Sequence, residues 1–216
     1  MILKRMRKTI VFDLDDTLVP EMDYLESAYL EIAQKVAPHK PFFFQEMLAN
    51  YHKGVNVFEQ VIEEFPIYKL QDLIHMYRNH YPKFPQNSSF EILRHLKSQG
   101  NVIGLITDGY SVTQRNKIQA LGIENLLDKI IISEEFGTTK PTLANYTAFH
   151  EFQSEAYYYI GDNVKKDFIT PNALGWTTIC LLDKGRNVHP QNFEVENAYL
   201  PHFTIQELKE ISTLVS

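Results

Sequence analysis

Residues 9–18 read Thr-Ile-Val-Phe-Asp-Leu-Asp-Asp-Thr-Leu, and the fold follows from that stretch. Thr9 to Phe12 has the composition of a buried strand. Three carboxylates, Asp13, Asp15 and Asp16, come immediately after it. Acidic groups do not belong inside a buried parallel strand, so they mark its C-terminal end, where open α/β sheets bind ligands. A plain solvated turn would not crowd three like charges without a cation or a shared proton to offset them. A calcium loop of EF-hand type needs Gly at its sixth position and Glu at its twelfth, and counting from Asp13 the chain has Leu18 and Tyr24.

C-terminal to Ser88 the same grammar repeats. Val102–Ile106, Lys129–Ile132, Ala156–Ile160 and Thr177–Leu181 read as strands. Between them Phe90–Gln99, Ser111–Leu121, Thr142–Phe152 and Lys165–Leu174 read as helices. A short strand near Ala198–Leu200 and a helix over Ile205–Ile211 close the pattern. Such alternation predicts an α/β fold, a parallel sheet covered by helices on both faces.

Residues 20–85 break the alternation. They hold no convincing strand, and Leu25, Ala28, Tyr29, Ile32 and Val36 recur at helical spacing on one face. Helices are predicted over Phe42–Tyr51, Val57–Phe65 and Leu70–Tyr81, punctuated by Gly54 and Pro66 and ended by Pro82 and Pro85. Residues 1–19 and 86–216 are therefore expected to form an α/β core, with 20–85 a small helical domain inserted after the first strand. Its aromatics, Phe42, Phe43, Phe44, Tyr51, Phe58, Phe65, Tyr77 and Tyr81 among them, are expected to be its own core.

Three further motifs sit at or just beyond predicted strand ends. Thr107-Asp108-Gly109 closes the second strand and offers a hydroxyl and following N–H groups to a phosphate oxygen. Lys140, in Gly137-Thr138-Thr139-Lys140-Pro141, is not a phosphate loop, because the Gly before it and the Ser or Thr after it are missing. Gly161-Asp162-Asn163 ends another apolar strand, and Asp167 follows five residues past Asp162. If all converge on one sheet edge, they supply hard oxygen ligands suited to Mg²⁺ together with donors for a phosphoryl group.

Composition narrows the partners. The 216 residues are 44% apolar and 22% charged, which is globular, and the formal charge is −6. Lys4, Arg5, Arg7 and Lys8 carry four of the positive charges, so the remainder stands at −10. That balance disfavours nucleic acid and acidic membranes and favours a small soluble substrate. Cys180 is the sole cysteine, which excludes an internal disulfide and paired zinc spacings; its apolar surroundings predict a buried strand residue. No stretch approaches the ~20 apolar residues of a membrane span. Met1 to Lys8 reads neither as a signal peptide nor as an anchor, so a cytoplasmic protein is expected.

In order, and over nearly the whole chain, these motifs resemble the haloacid dehalogenase-like hydrolase superfamily. Asp13, Asp15 and Thr17 match its first motif, Thr107 its second, Lys140 before Pro141 its third, and Gly161, Asp162 and Asp167 its fourth. The stretch from Gln114 to Ile123 also looks like members with a helical cap inserted after the first motif. The resemblance implies a Rossmann-like core with such a cap closing over the site. It implies that Asp13 attacks phosphorus to form an aspartyl-phosphate. Asp15 would be the acid and base, protonated as substrate binds and so holding its proton more tightly than a free Asp. Mg²⁺ would be held by Asp13, the carbonyl of Asp15 and Asp162, with Asp167 holding a metal-bound water or Lys140. Thr107, Asp108 and Lys140 would grip the phosphoryl oxygens.

Asp15 itself separates branches, since the dehalogenases of this superfamily lack a second acid and displacing halide needs no proton donor. The expectation is thus a Mg²⁺-dependent phosphatase acting on a small phosphorylated metabolite, as a monomer or homodimer. A phosphomutase and a catalytically idle binding protein are the alternatives. Residues 161–189 loosely resemble members associated with surface-polysaccharide pathways, which leans towards a sugar phosphate or nucleotide. His52, Lys53, His75, Arg78 and His80 are polar residues of the insertion that could face it.

Overall fold

The computed structural model describes residues 7–84 and 89–215. Lys4, Arg5 and the expected boundary at Pro85 lie outside them. Strand β1 (Lys8–Phe12) runs through the middle of a six-stranded sheet. The other strands are β2 (Val102–Thr107), β3 (Lys129–Ile132), β4 (Ala156–Gly161), β5 (Thr177–Leu181) and β6 (Phe203–Ile205). Their order is β3-β2-β1-β4-β5-β6, and every pairing is parallel. The chain builds outward to β3 on one side of β1, then returns to lay β4 on the other. That reversal opens a crevice beyond the C-terminal ends of β1 and β4, the place where doubly wound sheets take ligands.

Alternation along the strands explains the two-sided burial. Ile10 and Phe12 of β1, Ile103 and Leu105 of β2, Ile160 and Ile179 belong to one apolar cluster. Val11, Ile106, Tyr159 and Cys180 point to the other. The first face is covered by α5 (Ser89–Ser98) through Ile92, Leu93 and Leu96, and by α6 (Ser111–Ala120) through Ile118. The second is covered by Tyr146, Phe149, Phe168 and Trp176. Gly104 is required in β2 because a Cβ there would lie 2.1 Å from the Phe149 ring.

Between β1 and β2 come α1 (Glu21–Val36), α2 (Phe43–His52), α3 (Val57–Glu64) and α4 (Leu70–Asn79). The predicted stripe Leu25, Ala28, Tyr29, Ile32, Val36 is buried throughout. These helices pack around a cluster of their own that includes Tyr29, Ile32, Phe43, Met47, Val61 and Leu73. Phe42 and Tyr81 depart from expectation and are exposed.

Four predicted elements differ. The helix expected over Thr142–Phe152 is α8 (Leu143–Thr147), following the short α7 (Ser133–Phe136), and it continues as a 3₁₀ segment Ala148–Phe152 that carries Phe149 onto Gly104. The helix expected over Lys165–Leu174 is only α9 (Ile169–Ala173). Residues 163–167 instead form a turn wrapped round Asp167, whose carboxylate accepts the N–H groups of Asp162 and Asn163. The last strand is not Ala198–Leu200, which lies in and beside a 3₁₀ turn. The carbonyls of Ala198 and Leu200 are taken by the Asn172 side chain, and Pro201 supplies no N–H, so pairing starts at β6. Ile205 accordingly ends a strand, and the closing helix is α10 (Ile211–Leu214).

Candidate active site

Asp13 is the first residue past β1, and its N–H donates to the Ile160 carbonyl of β4 at 2.8 Å. That bond fixes the carboxyl at the crevice. Lys140 Nζ lies 2.7 Å from Asp13 Oδ1 and 2.7 Å from Asp167 Oδ1, with the ammonium almost wholly buried. Burial opposes the charge on Lys140, but Asp13 and Asp167 outweigh it and hold the amine well above its ordinary value. The Lys140 N–H donates to Asp108 Oδ1 at 3.0 Å, so the carboxylate after β2 anchors the lysine's backbone.

Asp162 follows β4 directly. One carboxylate oxygen from each of Asp13, Asp162 and Asp167 lies within 4.8 Å of the others, and all three residues are buried. Burial pushes Asp13 up to about 7 despite Lys140. Burial, with Asp13 and Asp167 alongside, pushes Asp162 up to about 9. Crowded carboxylates in this condition ionise readily only when a cation joins them. The oxygen-only donor set fits a hard divalent ion such as Mg²⁺. Gly161 explains its own presence, because a Cβ there would sit 2.4 Å from Asp167 Oδ2.

Asp15 is held from α6. Lys117 Nζ is 2.6 Å from Asp15 Oδ1, and Gln114 Nε2 is 2.8 Å from Asp15 Oδ2. Both oxygens accept, the bonding pattern of a carboxylate. The same Gln114 Nε2 lies 2.8 Å from Thr107 Oγ1 and 2.8 Å from the Asp108 carbonyl.

A loop after β5 reaches back to the site. Asp183 Oδ1 accepts the N–H groups of Gly185, Arg186 and Asn187, which stiffens the turn. Asn187 Nδ2 then donates to Asp162 Oδ2 at 2.9 Å, and Val188 N–H to Asp16 Oδ2 at 3.0 Å. Arg186 pairs with Asp23 of α1 at 2.9 Å.

A cavity of about 150 Å³ opens on Asp13, Asp15, Thr107, Asp108 and Asp162, with Glu21, Lys166 and His189 on its walls. Of the residues expected from sequence, Asp13, Asp15, Thr107, Asp108 and Asp162 face the cavity, whereas Thr17, Lys140 and Asp167 do not line it. None of His52, Lys53, His75, Arg78 and His80 lines it. His80 is buried against Ser27 and Glu31, and Arg78 stacks 3.4 Å over Tyr110. The residues missed are Gln114, Lys117, Glu21, Lys166, Asn187 and His189. Gln114 and Lys117 carried a signal, the spacing of three on a helix that starts beside Thr107. Asn187 and His189 lie on a loop, where periodicity says nothing.

The family model described as haloacid dehalogenase-like hydrolase matches residues 10–181. A glyceraldehyde 3-phosphate phosphatase of Methanocaldococcus jannaschii is 29% identical, with 97% of both chains covered. A protein of the same name from Methanopyrus kandleri is 26% identical over 97% of each. A hydrolase structure from Bacillus subtilis, bound to magnesium, superimposes with a TM-score of 0.66 at 18% identity, covering 98% of this chain and 99% of that one. At that identity the likeness concerns the fold. Among the described residues no helix is long and apolar enough to cross a membrane.

Proposed function

The chain belongs to the haloacid dehalogenase-like hydrolase family as a phosphoric monoester hydrolase, and we propose that it hydrolyses a small sugar phosphate with Mg²⁺ through an aspartyl-phosphate on Asp13. The observation that carries this reading is the contact of Lys140 with Asp13 at the mouth of the β1–β4 crevice. A nucleophilic carboxylate backed by a buried, permanently charged amine suits phosphoryl transfer, where positioning and charge stabilisation do most of the work. The sugar-phosphate substrate rests on the names of the two archaeal relatives.

Asp13, Asp162 and the carbonyl of Asp15 would hold Mg²⁺. When bound, the ion would neutralise charge on the phosphoryl group and on the crowded carboxylates. Asp167, with one oxygen on Lys140 and the other on two backbone N–H groups, would hold the lysine and the loop in place. Asp13 attacks phosphorus, and the bond to the sugar oxygen breaks as Asp15 gives that oxygen a proton. Asp15, now a carboxylate, takes a proton from water; the water oxygen bonds to phosphorus, and the Asp13 carboxylate leaves intact. Thr107 would steady a phosphoryl oxygen in both steps, while Lys140, which touches Asp13 without lining the cavity, would hold the nucleophile and offset its charge. Residues 20–85 would form a cap over a core of residues 1–19 and 86–216, keeping water out while the phosphoryl group moves.

The test uses para-nitrophenyl phosphate with Mg²⁺ and intact-mass spectrometry after rapid mixing. Asp15→Asn should release a burst of nitrophenolate and retain one phosphate on the protein, because a phenolate leaves without a proton while water still needs a base. Asp13→Asn should do neither. Phosphate on both variants, or on neither, would exclude these roles.

A further inference from the structure

Lys117 carries a charge that the reaction above does not use. The residue is 3% exposed, on a helix of the sheet layer. Its ammonium touches Asp15 Oδ1 at 2.6 Å and lies 4.5 Å from the Tyr24 ring centroid. A buried ammonium is costly to hold unless its partners are well placed, so its geometry is tightly constrained. Tyr24 belongs to α1, and its hydroxyl donates to the Tyr77 carbonyl of α4 at 2.6 Å. Lys117 is thus the point where the inserted helices meet the Asp15 carboxylate. Gln114, one turn earlier on the same face, takes the second oxygen.

We infer that Lys117 is a positioning residue for Asp15: with Gln114 it fixes both carboxylate oxygens so that Asp15 can take the proton from the hydrolytic water. The inference rests on the phosphatase reading. Asp15 is reached by no other cation within ion-pair distance among the described residues. Its aim is therefore set from α6, and Tyr24 covers the ammonium from the other side. In the hydrolytic step a proton passes from water to Asp15, the new O–P bond forms, and the electron pair of the broken Asp13–phosphorus linkage returns to Asp13. Only this step needs Asp15 when the leaving group is a phenolate. A misplacement of about 1 Å can cost on the order of 10²-fold in such a step.

The experiment is a stopped-flow comparison with para-nitrophenyl phosphate and Mg²⁺, read with intact-mass spectrometry. Lys117→Met keeps length and an apolar face for Tyr24 but loses the charge. It should form the phosphoenzyme within about threefold of the wild-type rate and hydrolyse it about 10–100-fold more slowly, so that phosphate accumulates on the protein. Lys117→Arg should recover part of the hydrolytic rate. Lys117→Gln, which keeps a hydrogen-bond donor but loses the charge, should show the same step-selective loss to a smaller degree and carries the test if Lys117→Met does not fold. Equal slowing of both steps, or no slowing of either, would overturn the inference. A wild-type protein that forms no phosphoenzyme and releases no phosphate would overturn the phosphatase reading, and the inference with it.

Discussion

The carboxylate edge of the sheet and the bundle α1–α4 manage charge in opposite ways. At the edge, Lys140 and Lys117 are buried and each touches a catalytic-motif carboxylate. In the bundle, Lys40 pairs with Glu46 and Glu64, and Lys35 with Glu31, all on the surface. Exposed pairs of that kind add little to stability, whereas a buried charge without its partner costs several kcal/mol. A folded chain retains such a cost where chemistry uses it. The bundle is held by its apolar cluster and the edge by its counter-charges, so substitutions in the two regions should fail differently.

The largest effect is expected at the nucleophile. Asp13→Asn should abolish phosphate release from every substrate tried, since Asp167, the other carboxylate touching Lys140, does not line the cavity and cannot take its place. Steady-state release above background would break the contrast at its root. Lys140→Ala should follow, lowering kcat by about 10²–10³-fold, the cost of removing one charge partner of the transition state. It also leaves Asp13 and Asp167 facing each other without their shared cation. Near wild-type turnover would reduce Lys140 to a structural lysine.

Leu73→Ala tests the other region. Leu73 is fully buried in the bundle cluster, and removing its side chain should cost about 2–5 kcal/mol of unfolding free energy in denaturant titrations. The wild-type rate of phosphoenzyme formation should survive in the fraction still folded. A stable variant with a slow chemical step would mean that the bundle core tunes the site directly.

These contrasts also explain what could be read from sequence. The first five strands follow from short apolar runs buried on both faces, and the bundle helices from periodicity, because burial on one face leaves a repeating trace; α1 shows it in Leu25, Ala28, Tyr29, Ile32 and Val36. Asp13, Asp162 and Asp167 were legible because carboxylates clustered at strand ends need a reason. Lys117 left only its spacing of three from Gln114 as a trace, since a lysine on a helix is ordinarily solvated and only the fold brings Asp15 to it. The polar residues of the bundle misled for the same cause in reverse. In sequence His80 is a polar residue that could face the substrate, but Ser27 and Glu31 of α1 enclose it.

The smallest effect is expected at Lys40, and it sharpens the comparison because the residue makes two ion pairs at once. Its ammonium lies 2.8 Å from Glu46 and 2.7 Å from Glu64. Both carboxylates are well exposed, so water and salt screen the attraction, and holding three long side chains in one arrangement costs rotamer entropy. The ammonium also lies 5.0 Å from the Phe43 ring centroid, a contact that water weakens further. Lys40→Ala should therefore leave the thermal midpoint within measurement error in 0.15 M salt and leave turnover unchanged. A drop in Tm as large as that of Leu73→Ala would show that surface charge also holds the bundle, and the division between a region stabilised by packing and one organised by buried charge would not stand.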